Sequence, residues 1–241
     1  MSVSLQILEK PILKKTKMNC DGVIDKSLLE YPMIEDCFSK TNFTIFIGKM
    51  GQGKSSLMTS FVKNIWCKCY NKIILIMPEN SRESIEDDLF GKCLHPNQLF
   101  TDLTSEILDS IYDDCKESSS EKKTTLLIID DFQAQLKDKD IVKTLQKIIT
   151  KMRHLRTTII LLNQNFQALP KMLRELASNL VMFNLGKSQN EKIFNESIQY
   201  PKEIFQELIK QTYENPHDYM VVNLRNKHIY KGFDRFNIQE D

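Results

Sequence analysis

The chain has 241 residues, which is enough for one α/β domain with a complete hydrophobic core and too few for two large domains. Hydrophobic residues make up 41% of the sequence and charged residues 27%, and 33 Lys and Arg against 32 Asp and Glu leave a formal net charge of +1. This balance gives no argument for a nucleic-acid partner, so any such surface has to be local.

The sequence carries no signal for export or for a membrane span. No apolar run approaches the roughly 20 residues of a membrane helix, and the first residues include no apolar stretch of signal-peptide length. The six cysteines show no zinc-finger spacing and are expected to be reduced thiols. We therefore expect an intracellular protein in a reducing compartment, without stable membrane insertion.

Apolar runs and amphipathic segments alternate along most of the chain. Residues 1–40 lack a clear period and carry several lysines, which predicts a loosely packed basic arm ahead of a single domain at 41–241. The predicted strands are Phe43–Ile47, Ile73–Met77, Leu126–Ile129, Thr157–Leu162 and Leu180–Leu185. Helices are predicted after the first strand, around Ile141–Met152 and from Pro201, with an exposed loop at Ser118–Lys123 and a terminal hairpin of Tyr219–Leu224 and Lys227–Tyr230.

This alternation predicts an α/β fold with a mostly parallel central sheet, helices on both faces and a C-terminal β-hairpin. The strand Ile73–Met77 falls between the first strand and the strand Leu126–Ile129 along the chain. Such an insertion is expected of RecA-like and FtsK-like ATPases rather than of small GTPases or simple nucleotide kinases.

The segment after the first strand matches a phosphate-binding loop in full. It reads Gly48-Lys49-Met50-Gly51-Gln52-Gly53-Lys54-Ser55, the pattern G-x-x-x-x-G-K-[ST] between a strand and a helix. Its glycines allow main-chain N–H groups to wrap around phosphate, and the helix N-terminus adds its dipole. We predict that this loop binds ATP, that Lys54 neutralises the β- and γ-phosphates, and that Ser55 ligates Mg²⁺. Ser56 is a weaker candidate for a phosphate contact.

Two acids and an amide follow the next strands of the predicted sheet. Asp130 and Asp131 end the strand Leu126–Ile129, at the carboxyl edge where ligands bind in such sheets. Asp130 is predicted to hold Mg²⁺ through water, and Asp131 to orient and deprotonate the attacking water. Gln164 follows the strand Thr157–Leu162. It is either an amide that senses the γ-phosphate or positions water, or an amide that caps its own loop.

Together these segments resemble the poxvirus-type genome-packaging ATPases of the FtsK–HerA superfamily, which occur in large double-stranded DNA viruses and virophages. The glycine loop and the two acids are generic, whereas Arg153-His154, Gln164 and Leu169-Pro170-Lys171-Met172-Leu173-Arg174 carry the specific part of the resemblance. The similarity runs from about Thr41 to the terminal hairpin. Glu175 departs from the family pattern, which often has Asn at that place.

The resemblance implies an ATP-driven translocase that packages double-stranded DNA into a capsid. It further implies a homo-oligomeric ring, expected to be a hexamer, that docks on a capsid or portal vertex protein in the host cytoplasm or on the virion. Arg153 is then the first candidate for an arginine finger that reaches the γ-phosphate of a neighbouring subunit, with Arg174 and Arg156 as weaker candidates. A surface or salt-bridging arginine is the alternative for each.

Other interpretations of the same residues remain open. Lys139, Lys143, Lys147 and Lys151 recur every four residues opposite the apolar stripe of their helix, where they either track DNA phosphates or form a solvated face. A helicase-like motor of the same fold and an assembly protein that binds ATP without turnover are alternative functions. A small-molecule kinase is disfavoured by the combination of Asp131 and Gln164 and by the lack of a recognisable acceptor lid.

Overall fold

The fold is built on one sheet of ten strands. We describe it from a computed structural model, which covers residues 2–6, 31–38, 41–83, 85, 90, 94–198 and 200–239. The strands are β1 Ser2–Gln6, β2 Phe43–Ile47, β3 Lys72–Ile76, β4 Leu99–Phe100, β5 Thr125–Asp130, β6 Thr157–Asn163, β7 Asn179–Phe183, β8 Tyr219–Asn223, β9 Ile229–Lys231 and β10 Asp234–Gln239.

The sheet order is β1-β10-β9-β8-β7-β2-β6-β5-β3-β4. The strands from β7 to β4 run parallel to one another, whereas β8, β9, β10 and β1 are added in antiparallel orientation. All the parallel strands therefore end at the same edge, which we call the carboxyl edge. Parallel strands need long crossover connections, and helices supply them here.

The described helices connect and cover these strands. They are α1 Pro32–Phe38, α2 Lys54–Phe61, α3 Glu79–Glu83, α4 Ser105–Ser120, α5 Lys139–Lys151, α6 Lys171–Leu176, α7 Lys187–Ile193 and α8 Lys202–Thr212. Helix α2 continues through the π-helical turn Val62–Trp66 and the turn Cys67–Cys69, and α7 continues through the π-helical turn Phe194–Ile198. Short 3₁₀ turns lie at Pro96–Gln98, Gln135–Lys137 and Phe166–Ala168.

Helices bury both faces of the central strands, because successive side chains of a strand point to opposite sides. Ile45 and Ile47 of β2 join a core with α4, α5, α6, α7 and α8, whereas Phe46 joins a second core with α1 and α2. Every residue of β5 and β6 is buried. Burial on both faces explains why these strands read as continuous apolar runs in the sequence.

Helix α5 is the crossover that brings the ends of β5 and β6 together. Asp138 caps it, because its Oδ1 accepts the main-chain N–H of Asp140 at 2.8 Å and of Ile141 at 3.3 Å. The helix returns the chain from the end of β5 to the start of β6, and Asp130 is in register with Leu162 on β6. The residues that follow the two strands therefore lie side by side at the carboxyl edge.

The predicted α/β class, the mostly parallel sheet and the terminal hairpin are confirmed. In the sheet, however, the strand between β2 and β5 is β6, and the predicted strand Ile73–Met77 corresponds to β3 on the far side of β5. The predicted exposed loop at Ser118–Lys123 is wrong for its first half. Helix α4 continues through Ser120, and Ser118 is buried.

Two segments of the first forty residues belong to the fold. Strand β1 pairs with β10, and α1 buries Met33 and Phe38 against the sheet. Asp36 on α1 accepts hydrogen bonds from Tyr230 Oη at 2.9 Å and His228 Nδ1 at 3.1 Å. The expected loose packing therefore does not hold for α1, and the lysines at positions 10, 14, 15 and 17 lie outside the described residues.

Within the described part of the chain, none of the helices has both the length and the apolar character needed to cross a membrane. Of the six cysteines, Cys37, Cys67, Cys69 and Cys115 are described, and none of these four forms a disulfide.

Candidate nucleotide site

The loop between β2 and α2 carries the phosphate-binding motif at the carboxyl edge of the sheet. Gly53 has φ +94°, a left-handed conformation, immediately before the first helical residue Lys54. A side chain at that position would strain the backbone. Gly48 is required for another reason, because a Cβ there would lie 3.0 Å from Cβ of Phe183 on β7. The loop therefore packs against β7 at Gly48, whereas a Cβ built at Gly51 would have no atom within 4 Å.

Internal hydrogen bonds hold the loop in shape. Gln52 Oε1 accepts the main-chain N–H of Lys49 at 2.6 Å, and Gln52 Nε2 donates to the carbonyl of Asn184. Lys54 Nζ donates to the carbonyl of Lys49 at 3.1 Å. Burial lowers the pKa of the Lys54 ammonium, and the nearby Asp130 carboxylate opposes that change. A partly desolvated cation in this position attracts a polyphosphate strongly, because water screens it little.

Ser55 and Asp130 form the part of the site suited to a metal ion. Ser55 Oγ donates to Asp130 Oδ2 at 2.7 Å. Asp130 is 3% exposed. Burial raises the pKa of its carboxyl to about 6, and the Ser55 hydrogen bond and Lys54 offset only part of the effect. A hydroxyl and a carboxylate are oxygen ligands of the kind that Mg²⁺ takes when it is bound together with substrate phosphates, so these two residues fit that ion.

Asp131 and Gln164 form a second polar pair beside the first. Gln164 Nε2 donates to Asp131 Oδ1 at 3.0 Å. Asp131 is exposed and has φ +64°, a left-handed conformation that Asp tolerates better than most residues. This turn directs the chain away from the sheet directly after Asp130. The two acids therefore have different surroundings: one is buried against Ser55, and the other is exposed with one oxygen held by an amide.

These residues surround a cavity of about 730 Å³. Asp130, Asp131 and Gln164 line it beside the loop. The loop residues that line it are Met50, Gly51, Gly53, Lys54, Ser55 and Ser56. The remaining loop residues, Gly48, Lys49 and Gln52, shape it from behind through the contacts described above.

Sequence reasoning missed part of the lining of this cavity. Phe183, Tyr219 and His217 form one wall of it, and Asn80 and Ser81 of α3 line it as well. His217 Nδ1 lies 3.1 Å from the carbonyl of Gln52, which joins the start of the terminal hairpin to the phosphate-binding loop. Phe183 on β7 is in register with Tyr219 on β8, which places the residues before β8 at the carboxyl edge. The order of the strands is the information that could have found this wall, and one sequence does not contain it.

The family model described as poxvirus A32 protein matches residues 33–226. The chain belongs to this family. The resemblance to poxvirus-type packaging ATPases noted from the sequence is thereby confirmed. No curated protein matches the sequence.

Solved structures share the fold of this A32-family chain. The genome packaging NTPase B204 from Sulfolobus turreted icosahedral virus 2, in complex with ATP-gammaS, superposes with a TM-score of 0.61 at 16% identity over 82% of this chain and 98% of B204. The DNA-packaging ATPase B204 from Sulfolobus turreted icosahedral virus superposes with a TM-score of 0.61 at 15% identity, over 83% of this chain and 99% of B204. The cytoplasmic domain of the type VII secretion ATPase EccC from Thermomonospora curvata superposes with a TM-score of 0.54 at 16% identity, over 83% of this chain and 26% of the EccC chain.

The three candidate arginines of this A32-family chain lie away from its own cavity. Arg153 and Arg156 are exposed in the turn before β6, at the edge opposite Gln164. The seven residues of β6 separate the two edges by about 20 Å. Arg174 donates from Nη1 to Glu196 Oε2 at 3.0 Å, and its guanidinium lies 5.2 Å from the Phe166 ring. None of the three reaches the phosphate-binding loop of the same chain.

Proposed function

We propose that this chain is a Mg²⁺-dependent ATPase that translocates double-stranded DNA into a viral capsid as a subunit of a homo-oligomeric ring, expected to be a hexamer. The observation that carries the proposal is one cavity enclosed by the phosphate-binding loop, the Ser55–Asp130 pair and the Asp131–Gln164 pair. Membership in the A32 family and the fold shared with B204, a genome packaging NTPase by its description, support viral DNA as the cargo.

ATP binding is assigned to the loop and to Lys54. Main-chain N–H groups of the loop and the N-terminus of α2 would bind the β- and γ-phosphates, and the Lys54 ammonium would neutralise part of their charge. Ser55 and Asp130 would hold Mg²⁺, which neutralises charge that develops on the phosphate oxygens. The strong burial of Asp130 supports this assignment, because a cation stabilises the ionised carboxylate that burial disfavours.

Hydrolysis is assigned to Asp131 with Gln164. The Asp131 carboxylate faces the cavity and accepts a proton from the attacking water as that water's oxygen bonds to the γ-phosphorus. The bond from the γ-phosphorus to the bridging oxygen breaks, so that ADP and phosphate form. Gln164 donates to one Asp131 oxygen, which leaves the other for the water. Because this amide contacts the acid and lines the cavity, a role in positioning water fits it better than a loop cap.

Arg153 is proposed to act on the nucleotide of a neighbouring subunit. It is exposed, and it lies at the opposite edge from its own cavity, so it can reach only a cavity that another copy presents to it. A positive charge brought to the γ-phosphate in trans would stabilise the transition state. ATP turnover would then depend on ring assembly. Docking on a capsid or portal protein would place the ring where DNA enters the capsid, in the host cytoplasm or on the virion.

An ATPase assay across protein concentration, with and without linear duplex DNA, tests this function. We expect Mg²⁺-dependent turnover that rises more steeply than linearly with protein concentration and is stimulated by duplex DNA. Strand separation in the same mixtures would favour a helicase instead. Tight ATP binding without turnover, unchanged by Asp131→Asn, would favour a nucleotide-gated assembly protein. Each of these two outcomes contradicts the proposal.

A further inference from the structure

A second cavity, of about 720 Å³, opens beside α5 and α6 on the face away from α2. One of its walls is formed by Leu136, Lys137 and the first half of α5, and the other by residues 167–172 and Arg174. Its apolar part includes Val142 and Leu169, and its rim carries lysines. We call this cavity the basic groove.

Three lysines of the groove form no ion pair with a carboxylate. Lys137, Lys139 and Lys143 line it and are exposed, and none of the three has a carboxylate partner within the described residues. Asp138 and Asp140 flank Lys139 in the sequence. Asp138 is occupied in capping α5, and neither acid forms an ion pair with the three lysines among the described residues. The remaining groove cations differ in this respect, since Lys171 pairs with Glu175 and Arg174 pairs with Glu196.

The structure divides the four lysines that recur along α5 into two pairs with different roles. Lys147 Nζ lies 3.1 Å from Asp109 Oδ1 and 4.1 Å from the centre of the Tyr112 ring. Lys151 Nζ donates to Tyr112 Oη at 3.2 Å. These two lysines are used in packing α5 against α4. Lys139 and Lys143 are the ones left for a ligand, and they lie in the groove together with Lys137.

We infer that the basic groove binds the phosphate backbone of double-stranded DNA, an inference that rests on the function proposed above. The charge complementarity is direct, because duplex DNA presents one phosphate per about 3.4 Å of each strand. Lys139 and Lys143 are one helical turn apart, with a rise of about 6 Å, so they can contact successive or alternate phosphates of one strand. Lysine contacts of this kind carry no sequence information, which suits a motor that moves along any sequence.

The position of the groove also links it to the nucleotide. One wall begins at Leu136, five residues after Asp131, and the other begins at Gln167, three residues after Gln164. Asp131 and Gln164 are hydrogen-bonded to each other at the nucleotide cavity. A change at this pair during hydrolysis is therefore transmitted to both walls through short segments. DNA in the groove is expected, by the same connection, to stimulate turnover.

Charge-neutral variants test the inference. The groove variant carries Lys137→Gln, Lys139→Gln and Lys143→Gln. The control variant carries Lys116→Gln, Lys202→Gln and Lys210→Gln, which removes the same charge from exposed lysines outside the groove. We would measure binding of a 30-base-pair duplex by fluorescence anisotropy at several salt concentrations. Basal and DNA-stimulated ATPase rates would be measured on the same preparations.

We expect the groove variant to bind duplex DNA about 10- to 100-fold more weakly, and the negative slope of log affinity against log salt to become smaller in magnitude by about 3. It should lose DNA stimulation and keep the basal ATPase rate, while the control variant behaves as wild type. Equal losses in both variants, or a groove variant that binds as wild type does, would overturn the groove assignment and leave the proposed function standing. Unchanged DNA binding with altered ring assembly would make the groove a contact between copies and also overturn it. If wild-type protein neither binds duplex DNA nor responds to it, the proposed function itself fails.

Discussion

Replacing Asp130 by Asn is expected to stabilise the protein in the absence of nucleotide and to abolish its Mg²⁺-dependent ATPase activity. Asp130 is 3% exposed. Burial raises the pKa of its carboxyl from 3.8 to about 6, so at neutral pH a charge is held where water hardly solvates it. Asn has nearly the same shape and can still accept the hydrogen bond from Ser55, but it carries no charge to ligate Mg²⁺.

The magnitude follows from the difference in pKa between the folded and the unfolded chain. One pKa unit corresponds to about 1.36 kcal/mol, so the interval from 3.8 to about 6 corresponds to about 3 kcal/mol. Because the folded-state pKa is the higher one, the stability that this group contributes is complete below pH 3.8 and is lost as the pH rises through about 6. The advantage of the Asn variant should therefore be small near pH 4 and reach about 3 kcal/mol above pH 7.

Urea unfolding of wild type and Asp130→Asn at about pH 4.5 and about pH 8, without nucleotide, measures this difference. Asp131→Asn is the matched control, because it removes a neighbouring acid that is exposed. The free energy of unfolding of this variant should rise far less than that of Asp130→Asn. Addition of Mg²⁺ and ATP should stabilise wild type and not Asp130→Asn. The reasoning is refuted if Asp130→Asn is less stable than wild type at pH 8, or if its advantage is the same at both pH values.

Other substitutions separate binding, turnover and assembly. Arg153→Ala is expected to retain ATP affinity and to lose about 10³-fold or more in turnover. Mixing it with Lys54→Ala subunits should restore part of the ATPase rate at mixed interfaces, whereas lost ATP binding or an inactive mixture would contradict the trans role. Gln164→Ala should lower kcat about 10²-fold with little change in KM, and an unchanged kcat in steady-state assays would leave only a loop-capping role. Gly53→Ala places a side chain at φ +94° and brings its Cβ to 3.3 Å from His217 Nδ1, so we expect about 1–2 kcal/mol of lost stability in thermal unfolding. A wild-type Tm and ATP affinity would show that this backbone conformation is not required.

The parts of the fold predicted from sequence are those whose signals are local. Strands β2, β5 and β6 are buried on both faces, so they appear as apolar runs that end at polar residues. The phosphate-binding loop is one continuous segment, and Asp130 and Asp131 directly follow a strand. Patterns of this kind involve neighbouring residues only, so they can be recognised in a single sequence. Lys54, Ser55, Asp130, Asp131 and Gln164, which were predicted for the site from such patterns, line the same cavity.

The parts that sequence reasoning missed depend on distant pairings. Strand β10 has the polar sequence Asp-Arg-Phe-Asn-Ile-Gln and is held by pairing with β9 and β1. The position of β6 between β2 and β5, and that of His217 beside Gln52, follow from the strand order. The amphipathic character of α4 weakens at Ser118–Ser120, although the helix continues there. The division of the α5 lysines required the positions of Asp109 and Tyr112 on another helix.

Isothermal titration of wild type and Lys54→Ala with ATP-gammaS, each with and without Mg²⁺, tests the central claim most directly. Wild type is expected to bind the nucleotide tightly only when Mg²⁺ is present, because the loop amides, Lys54 and the Ser55–Asp130 pair all act on the same phosphates. Lys54→Ala should show at least about a hundredfold weaker affinity, the loss expected when a charge partner of a buried phosphate is removed. Metal-independent binding by wild type, or equal affinities for the two proteins, would contradict the account.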